Sequence, residues 1–307
     1  MKNKNPHRFY IGQLYSLIAL FIKVVYAQKM NNKLCVFGAK TGTDIDALAC
    51  AIAYAELMDC IAYLPGPFNA TIPSSVRKWD FNYTTEFPTT ATEFVMVDFS
   101  TPGMIPEKID QDKIIKVYDH HTGFEEYWGK RGQIEFIGAA ATIIFELFGD
   151  RAPSATIANL LYTAIFANCL NFKAGLTSDR DHAAFNKLKQ YVTLPESWIE
   201  TYYNEIEVGL IADPNTALND DIKYYKNGWS IAQLELYNAI PVLDKIISPE
   251  NGFAIVVDIG AGKNYLFATS SEIKAALTDG LGAKWNGDIG ITDKLYLRKE
   301  IVKIMNL

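Results

Sequence analysis

Short apolar strands that alternate with helices are the feature that most constrains the fold of this chain. Several apolar runs are too short for helices and are rich in β-branched or aromatic residues: 34–38, 61–64, 94–97 and 114–118. Apolar side chains recur at helical spacing in three other stretches: 46–58, 140–148 and 155–169. This alternation indicates an α/β fold with a parallel sheet that is covered on both faces.

Acidic and imidazole side chains follow three of these strands at their carboxyl ends. Asp44 and Asp46 come after the first strand, Asp98 ends the third, and an Asp-His-His run at 119–121 ends the fourth. Because ligands bind at the carboxyl ends of parallel strands, we expect these side chains to share one rim of the sheet. Carboxylates with an imidazole suit divalent ions such as Mn²⁺ or Mg²⁺. Two ions that share a carboxylate lie about 3.5–4 Å apart and can activate water against a phosphoryl group.

The charge of the chain excludes some classes of partner. It has 29 Lys and Arg residues against 35 Asp and Glu residues, a formal net charge of -6. Because an acidic surface repels nucleic acid and anionic membranes, we expect neither as a partner, and an anionic substrate must meet local cations or a metal ion. The cysteines form no Cys-x-x-Cys motif: Cys35, Cys50, Cys60 and Cys169. Isolated cysteines of this kind are typical of reduced thiols in a cytoplasmic protein.

Residues 1–29 differ from the rest of the chain. A basic start is followed by an apolar stretch that Lys23 interrupts, which loosely imitates a secretory signal. Met30 then opens a polar start and an immediate β-like run. We therefore expect residues 1–29 to be a poorly ordered or misassigned extension, with a signal or membrane anchor as the alternative.

A chain of 307 residues suits two domains. We predict a first domain over residues 30–194 and a smaller α+β domain over residues 195–307. Apolar patterns in the second domain predict three strands and one helix: 229–236, 253–259, 265–268 and 271–281. A last apparent strand contains Arg298 and Lys299. The oligomeric state is not determined by these patterns, and a homodimer stays open.

The run VYDHHTG, which contains Asp119, His120 and His121, resembles the signature of the DHH phosphoesterase superfamily. Within that superfamily, the chain is most similar to the manganese-dependent (family II) inorganic pyrophosphatases, which carry a second domain of the DHHA2 type. Other similar motifs follow in order along the chain: DIDALACAIAYAEL, VDFST, ATIIFELF, LYTAIFANCLNFKAGLTSDRD, SIAQLELYN and YLRKEIV. The resemblance implies a DHH domain and a DHHA2 domain with the active-site cleft between them.

The resemblance also implies metal ligands. Asp44 would bind one metal ion and Asp46 the other, and Asp98 would bridge both ions. His120 would be a ligand of the second ion. The cofactor implied by the family is Mn²⁺, with Mg²⁺ as an alternative.

Substrate contacts are implied in the same way. His121, Arg298 and Lys299 would meet the substrate phosphate, the last two from the second domain. Asp98 and His121 would be the catalytic residues. The implied substrate is a small phosphorylated compound such as pyrophosphate.

The chain departs from the family pattern at several positions. Lys40 stands where the family has a metal-binding His, and Asn168 stands where it has its last metal-binding Asp. These departures favour one ion over two, bound by Asp46, Asp98 and His120 with Asn168 as a neutral oxygen donor. Lys40 would supply part of the missing ion's positive charge to the substrate.

Two functional hypotheses follow from these residues. The first is a metal-dependent phosphohydrolase that resembles inorganic pyrophosphatase, with reduced or altered activity. The second is a non-catalytic module of the same fold, which binds a phosphorylated ligand or a partner protein.

Overall fold

Two β-sheets organise residues 31–307, the part of the chain that the computed structural model describes. The strands of the first sheet are β1 (Asn31–Phe37), β2 (Cys60–Tyr63), β3 (Glu93–Val97), β4 (Ile114–Asp119) and β5 (Gly132–Ile134). Their order is β2-β1-β3-β4-β5, and every neighbouring pair is parallel. The predicted parallel sheet is therefore confirmed, while the prediction for residues 1–29 lies outside the described residues.

Helices cover one face of this sheet. The helices of this part of the chain are α1 (Ile45–Met58), α2 (Glu125–Trp128), α3 (Ala140–Glu146), α4 (Ala155–Asn168) and α5 (Asp179–Leu188). Alternate alanines of α1, among them Ala49, Ala51 and Ala53, are fully buried, because small side chains let this helix lie between the sheet and α4. The opposite face is covered by loops, single helical turns and Trp128 of α2, rather than by long helices.

The second sheet is mixed. Its strands are β6 (Lys223–Tyr224), β7 (Ser230–Leu236), β8 (Gly252–Asp258), β9 (Lys263–Phe267), β10 (Lys284–Asn286) and β11 (Ile289–Ile291). Their order is β10-β11-β9-β8-β7-β6, and β7 with β8 is the parallel pair among antiparallel ones. The remaining helices are α6 (Trp198–Ala212), α7 (Pro214–Asp220), α8 (Ser271–Leu281) and α9 (Arg298–Met305).

The prediction of a strand at Arg298 and Lys299 is wrong, because both residues begin helix α9. The Glu300 carboxylate accepts a hydrogen bond from the Leu297 N–H at 2.8 Å, which caps the helix, and Ile301 is fully buried. The short apolar alternation around these residues resembles a strand, but capping and burial of one helical face decide the local structure.

Helix α6 joins the two sheets. Its Trp198 Nε1 donates to Thr163 Oγ1 at 2.9 Å, and its Tyr202 hydroxyl donates to the Thr71 carbonyl at 2.8 Å, both on the side of the first sheet. The ring of Tyr203 stacks on Tyr237, which follows β7, at a centroid distance of 5.1 Å. The core is therefore continuous across residue 195, and the domain boundary there stays a prediction.

Within residues 31–307, no helix is both long and apolar enough to span a bilayer. The cysteines of this part are free and buried, as expected for isolated thiols.

Asp181 fastens helix α5 to the segment that leads into α3. Its buried carboxylate accepts hydrogen bonds from Thr142 Oγ1 at 2.6 Å, from the Gly138 N–H at 3.0 Å and from the Ser178 N–H at 2.8 Å. Gly138 is required at this approach, since a Cβ there would lie 2.4 Å from Cys169 Sγ. The segment held in this way includes the carbonyl that orients His120.

We expect Asp181→Ala to lower the free energy of unfolding by about 3 kcal/mol, because several buried donors lose a charged acceptor. Urea unfolding of both proteins measures the difference. Asp179→Ala is the matched control, since Asp179 is exposed on the first turn of the same helix. Equal losses in the two variants would contradict the assigned role of Asp181.

Candidate metal centre

The parallel strands bring three distant side chains to one rim. Asp46 follows β1 on the first turn of α1, Asp98 follows β3 and His120 follows β4. His120 Nε2 lies 3.5 Å from Asp98 Oδ1 and 3.8 Å from Asp46 Oδ2. All three residues are buried. The structure therefore brings together the three residues that the sequence predicts as the main ligands.

The surroundings of the Asp98 side chain give the strongest indication that a cation binds at this rim. Its buried Oδ1 atom has no hydrogen-bond partner within the described residues. Its backbone has a φ of 62°, which is rare for a residue other than Gly, and its N–H donates to the Tyr118 carbonyl at 2.8 Å. Burial, followed by the negative charges of Asp44 and Asp46, raises the pKa of Asp98 well above its usual range. A buried carboxylate oxygen without a donor is what a bound cation would satisfy.

His120 is prepared to donate a lone pair. Its Nδ1 lies 3.1 Å from the Ile137 carbonyl oxygen, and since a carbonyl can only accept, Nδ1 carries the proton. Nε2 is then the free lone pair and faces the carboxylates of Asp46 and Asp98. Burial lowers the pKa of His120 to about 4, so the ring is neutral at physiological pH. A metal-binding histidine is usually neutral: one ring nitrogen binds the metal ion, and the other donates a hydrogen bond that fixes the direction of the ring.

His121 is held by Asp119. The Asp119 Oδ1 atom lies 2.9 Å from His121 Nδ1 and also accepts from the N–H groups of His120 at 2.7 Å and His121 at 3.0 Å. Burial lowers the pKa of His121, but the hydrogen bond and charge of Asp119 outweigh this effect and raise it. The His121 side chain is 59% exposed, so it faces the open side of the rim. Donor atoms of Asp98, His120 and His121 lie within 4.8 Å of one another.

Asp119 is a site residue to which sequence reasoning gave no separate role. Its carboxylate fixes the turn after β4 and the direction of His121 at the same time. The sequence does single out Asp119, because it is the first residue of the Asp-His-His motif. The motif does not reveal the geometry of the turn, which brings the Asp119 carboxylate to the ring of His121.

Asp46 and Asp44 both accept hydrogen bonds from backbone N–H groups at the N-terminal ends of helices. Asp46 Oδ2 accepts from the Ala140 N–H at 2.9 Å, and Oδ1 accepts from the Ala141 N–H at 2.8 Å, at the start of α3. Burial nevertheless raises the pKa of Asp46 to about 7. Asp44 caps α1, because its Oδ1 accepts from the Ala47 N–H at 2.8 Å. The helix terminus thus offsets part of the Asp46 charge before any metal ion binds.

The two residues that depart from the family pattern have partners of their own. The Lys40 ammonium lies 2.6 Å from the exposed Glu107 carboxylate. Asn168 is the last residue of α4, and its Nδ2 donates to the Ala164 carbonyl of the same helix at 3.2 Å. Both side chains are thus bound to other groups of the chain.

The predicted substrate cations are the first two residues of α9. The positive charge of Lys299 adds to burial and to the charge of His121 in lowering the pKa of His120. Arg298 instead binds Asp221, whose Oδ1 accepts from Arg298 Nη2 at 3.1 Å and whose carbonyl accepts from Nη1 at 2.6 Å. The two cations, adjacent in sequence, therefore have different surroundings.

Comparison with known proteins supports the resemblance seen in the sequence. No protein-family model matches the chain. A probable manganese-dependent inorganic pyrophosphatase of Bacillus licheniformis is 28% identical over 169 residues, which cover 51% of this chain and 54% of that protein. One of Bacillus cytotoxicus is 26% identical over 232 residues, 70% of this chain and 74% of that protein. The first of these matches thus spans about half of the relative's length.

A solved structure has the same fold. The crystal structure of a Methanococcus jannaschii protein described as a family II inorganic pyrophosphatase superposes with a TM-score of 0.62 and 20% identity. The superposition covers 89% of this chain and 98% of that one. The predicted resemblance to manganese-dependent pyrophosphatases and the predicted α/β fold are both confirmed.

We expect Asp98→Asn to weaken Mn²⁺ binding by at least about a hundredfold, because it removes the charge of a buried carboxylate that faces His120 Nε2 with an oxygen that has no protein donor. Calorimetric titration with Mn²⁺ measures the affinity. Asp110→Asn, at an exposed position of the same sheet's loops, should bind Mn²⁺ as the unchanged protein does. Wild-type affinity in Asp98→Asn, with folding verified by urea unfolding, would contradict the site.

Proposed function

We propose that the chain is a divalent-metal-dependent phosphohydrolase of the pyrophosphatase type, which hydrolyses a phosphoanhydride or phosphoester bond. The observation that carries the proposal is the buried, unpartnered Asp98 oxygen that faces the free Nε2 of His120. The similarity to manganese-dependent pyrophosphatases supports the same conclusion.

The donor set fits Mn²⁺ or Mg²⁺. Asp98 and His120 would hold the ion, with Asp46 as a further carboxylate, and we propose one ion rather than two. A positive charge at Lys40 and a neutral amide at Asn168, where the pyrophosphatase pattern has a metal-binding His and Asp, support the lower number. A bound divalent ion supplies Lewis acidity, which lowers the pKa of water and polarises a phosphoryl oxygen.

The residues of the chain itself would position the phosphate and manage protons. His121 presents an exposed ring whose other nitrogen is held by Asp119, an arrangement that favours the protonated form. In this form His121 can bind a phosphate oxygen and give a proton to the leaving group. Lys299, at the start of α9, would add positive charge that stabilises charge developing on the phosphate.

Lys40 is a weaker candidate for substrate binding. Its ion pair with Glu107 is exposed, with 33% and 80% of the two side chains accessible, and exposed pairs contribute little free energy. An incoming phosphate could therefore replace Glu107 as the partner of Lys40.

The predicted cytoplasmic location and the homodimer stay predictions.

The second candidate function is a non-catalytic module that binds a phosphorylated ligand. The specific observation in its favour is that Arg298 and Lys40 are both paired with carboxylates of the chain. A site with fewer free cations stabilises the transition state of phosphoryl transfer less well. Turnover therefore has to be measured rather than assumed from binding.

We expect Mn²⁺-dependent release of phosphate from pyrophosphate or phenyl phosphate, and we expect His121→Ala to lower kcat by about a hundredfold. The affinity for Mn²⁺ should change little, because Asp98 and His120 remain. His182→Ala is the matched control, since this exposed histidine lies on α5 and stacks on Phe172. Binding of both compounds without any phosphate release would favour the non-catalytic function.

A further inference from the structure

A cavity of about 570 Å³ lies beside β2, the edge strand of the first sheet. It is formed by the second half of α1, the strand residues 60–62, the loop 80–84 and the first turn of α4. These strand residues are the first three of β2, so the cavity lies at the amino end of the parallel sheet. The candidate metal ligands instead follow the carboxyl ends of the strands. The cavity is therefore separate from the metal centre.

The outer edge of β2 is only partly paired. The Ala62 carbonyl accepts from the Thr84 N–H, and the Leu64 N–H donates to the Thr84 carbonyl, both at 2.9 Å. Because alternate residues of a strand point their backbone groups to the same side, the Ala62 N–H and the Cys60 carbonyl also face outward. No segment within residues 31–307 pairs with these two groups on that side. An extended segment can add to such an edge through main-chain hydrogen bonds.

The side chains that line the cavity are apolar or acidic. Ile52 and Ile157 form its buried floor, and the rings of Phe81 and Tyr83 lie 6.0 Å apart at its side. Tyr83 is 41% exposed, which is high for a large aromatic residue. The charged residues of the lining are all acidic: Glu56, Asp59 and Asp80. None of the ion pairs among residues 31–307 includes these carboxylates.

This lining fits an apolar segment that carries Lys or Arg, because opposite charges select the partner while apolar contacts hold it. Residues 1–30 have this chemistry, with five Lys and Arg residues and no Asp or Glu. Within them, residues 21–27 read FIKVVYA, which is rich in the β-branched and aromatic side chains that favour strands. Lys23 and Lys29 lie on either side of the apolar run 24–27.

The first described residue lies next to the cavity. Asn31 is the partner of Cys60 where β1 pairs with β2, and its N–H donates to the Asp59 carbonyl at 2.6 Å. Asp59 and Cys60 both line the cavity. Since adjacent strands lie about 4.8 Å apart, two or three residues before Asn31 are enough to pass the end of β2 and reach its outer edge. A segment that arrives in this way runs antiparallel to β2.

We propose that residues 21–29 dock in this cavity as an added edge strand of the first sheet, with their lysines near the carboxylates of Asp59 and Asp80. The docked segment would bind the outward backbone groups of Cys60 and Ala62 and cover Tyr83. Residues 21–29 would then belong to the folded protein, rather than to a poorly ordered extension, a cleaved signal or a membrane anchor.

Hydrogen exchange of the full chain, followed by mass spectrometry, tests the docking. We expect the amides of residues 21–27 to exchange at least about tenfold more slowly than those of a synthetic peptide of residues 17–30. Val24→Asp combined with Val25→Asp should abolish this protection and also accelerate exchange at Ala62, because buried carboxylates are unfavourable in an apolar cavity. Gln13→Asp combined with Ser16→Asp is the matched control, since it adds the same charge outside the docked residues.

A second variant tests the cavity from its own side. Asp59→Asn combined with Asp80→Asn should accelerate exchange of residues 21–27 at least about threefold, because the lysines lose their charged partners. Asn retains the left-handed backbone of Asp59, whose φ is 52°, and Glu56 is kept because its carboxylate binds the start of α4. Asp112→Asn combined with Asp279→Asn is the control, since both residues are exposed elsewhere.

The proposal is overturned if residues 21–27 exchange as fast as the peptide, or if their exchange is slow in every variant. Unchanged exchange at Ala62 in the Val24→Asp and Val25→Asp variant would overturn it as well. Slow exchange that requires added lipid vesicles, or that increases with protein concentration, would assign the segment to a membrane or to a second copy and contradict docking. A purified protein whose mass lacks residues 1–29 would also contradict it.

Discussion

The parallel pairing of β1, β3 and β4 decides where chemistry can occur in this chain. Because all three strands run in the same direction, the residues that follow them meet at one rim although Asp46 and His120 are distant in sequence. The rim gathers several carboxylates into a buried volume, which is unfavourable unless each charge finds a donor or a cation. The rest of the site can be understood as the way in which the chain meets this requirement.

The carboxylates of the rim find their donors or cations in different ways. Asp46 accepts from the first N–H groups of α3, and Asp119 Oδ1 binds the backbone and ring of His121. Asp98 and Asp119 each keep one buried oxygen without a protein donor, and the Asp98 oxygen faces the neutral imidazole of His120. This position opposite His120 Nε2 assigns the role of metal ligand most directly to Asp98 and His120. Arg298 at the start of α9 and Asp221 at the end of α7 form a further pair of opposite charges.

Sequence patterns predicted the parts of the structure that depend on neighbours along the chain. The strands of the first sheet and the convergence of Asp46, Asp98 and His120 follow from local apolar runs and from the rule for strand ends. The Arg298–Asp221 pair could not be predicted, because its partners lie on separate segments and no pattern joins them. The start of α9 at Arg298 was wrongly predicted as a strand, since its cap and its buried face depend on tertiary packing.

The proposed function depends on a divalent ion that binds between Asp98 and His120 at the rim of the parallel sheet. Crystals soaked in MnCl₂ and measured at the manganese absorption edge show whether this ion is present. We expect one strong anomalous peak in contact with an Asp98 carboxylate oxygen and with His120 Nε2. An anomalous map with no peak between these two residues, while Mn²⁺ occupies other positions of the molecule, would contradict it.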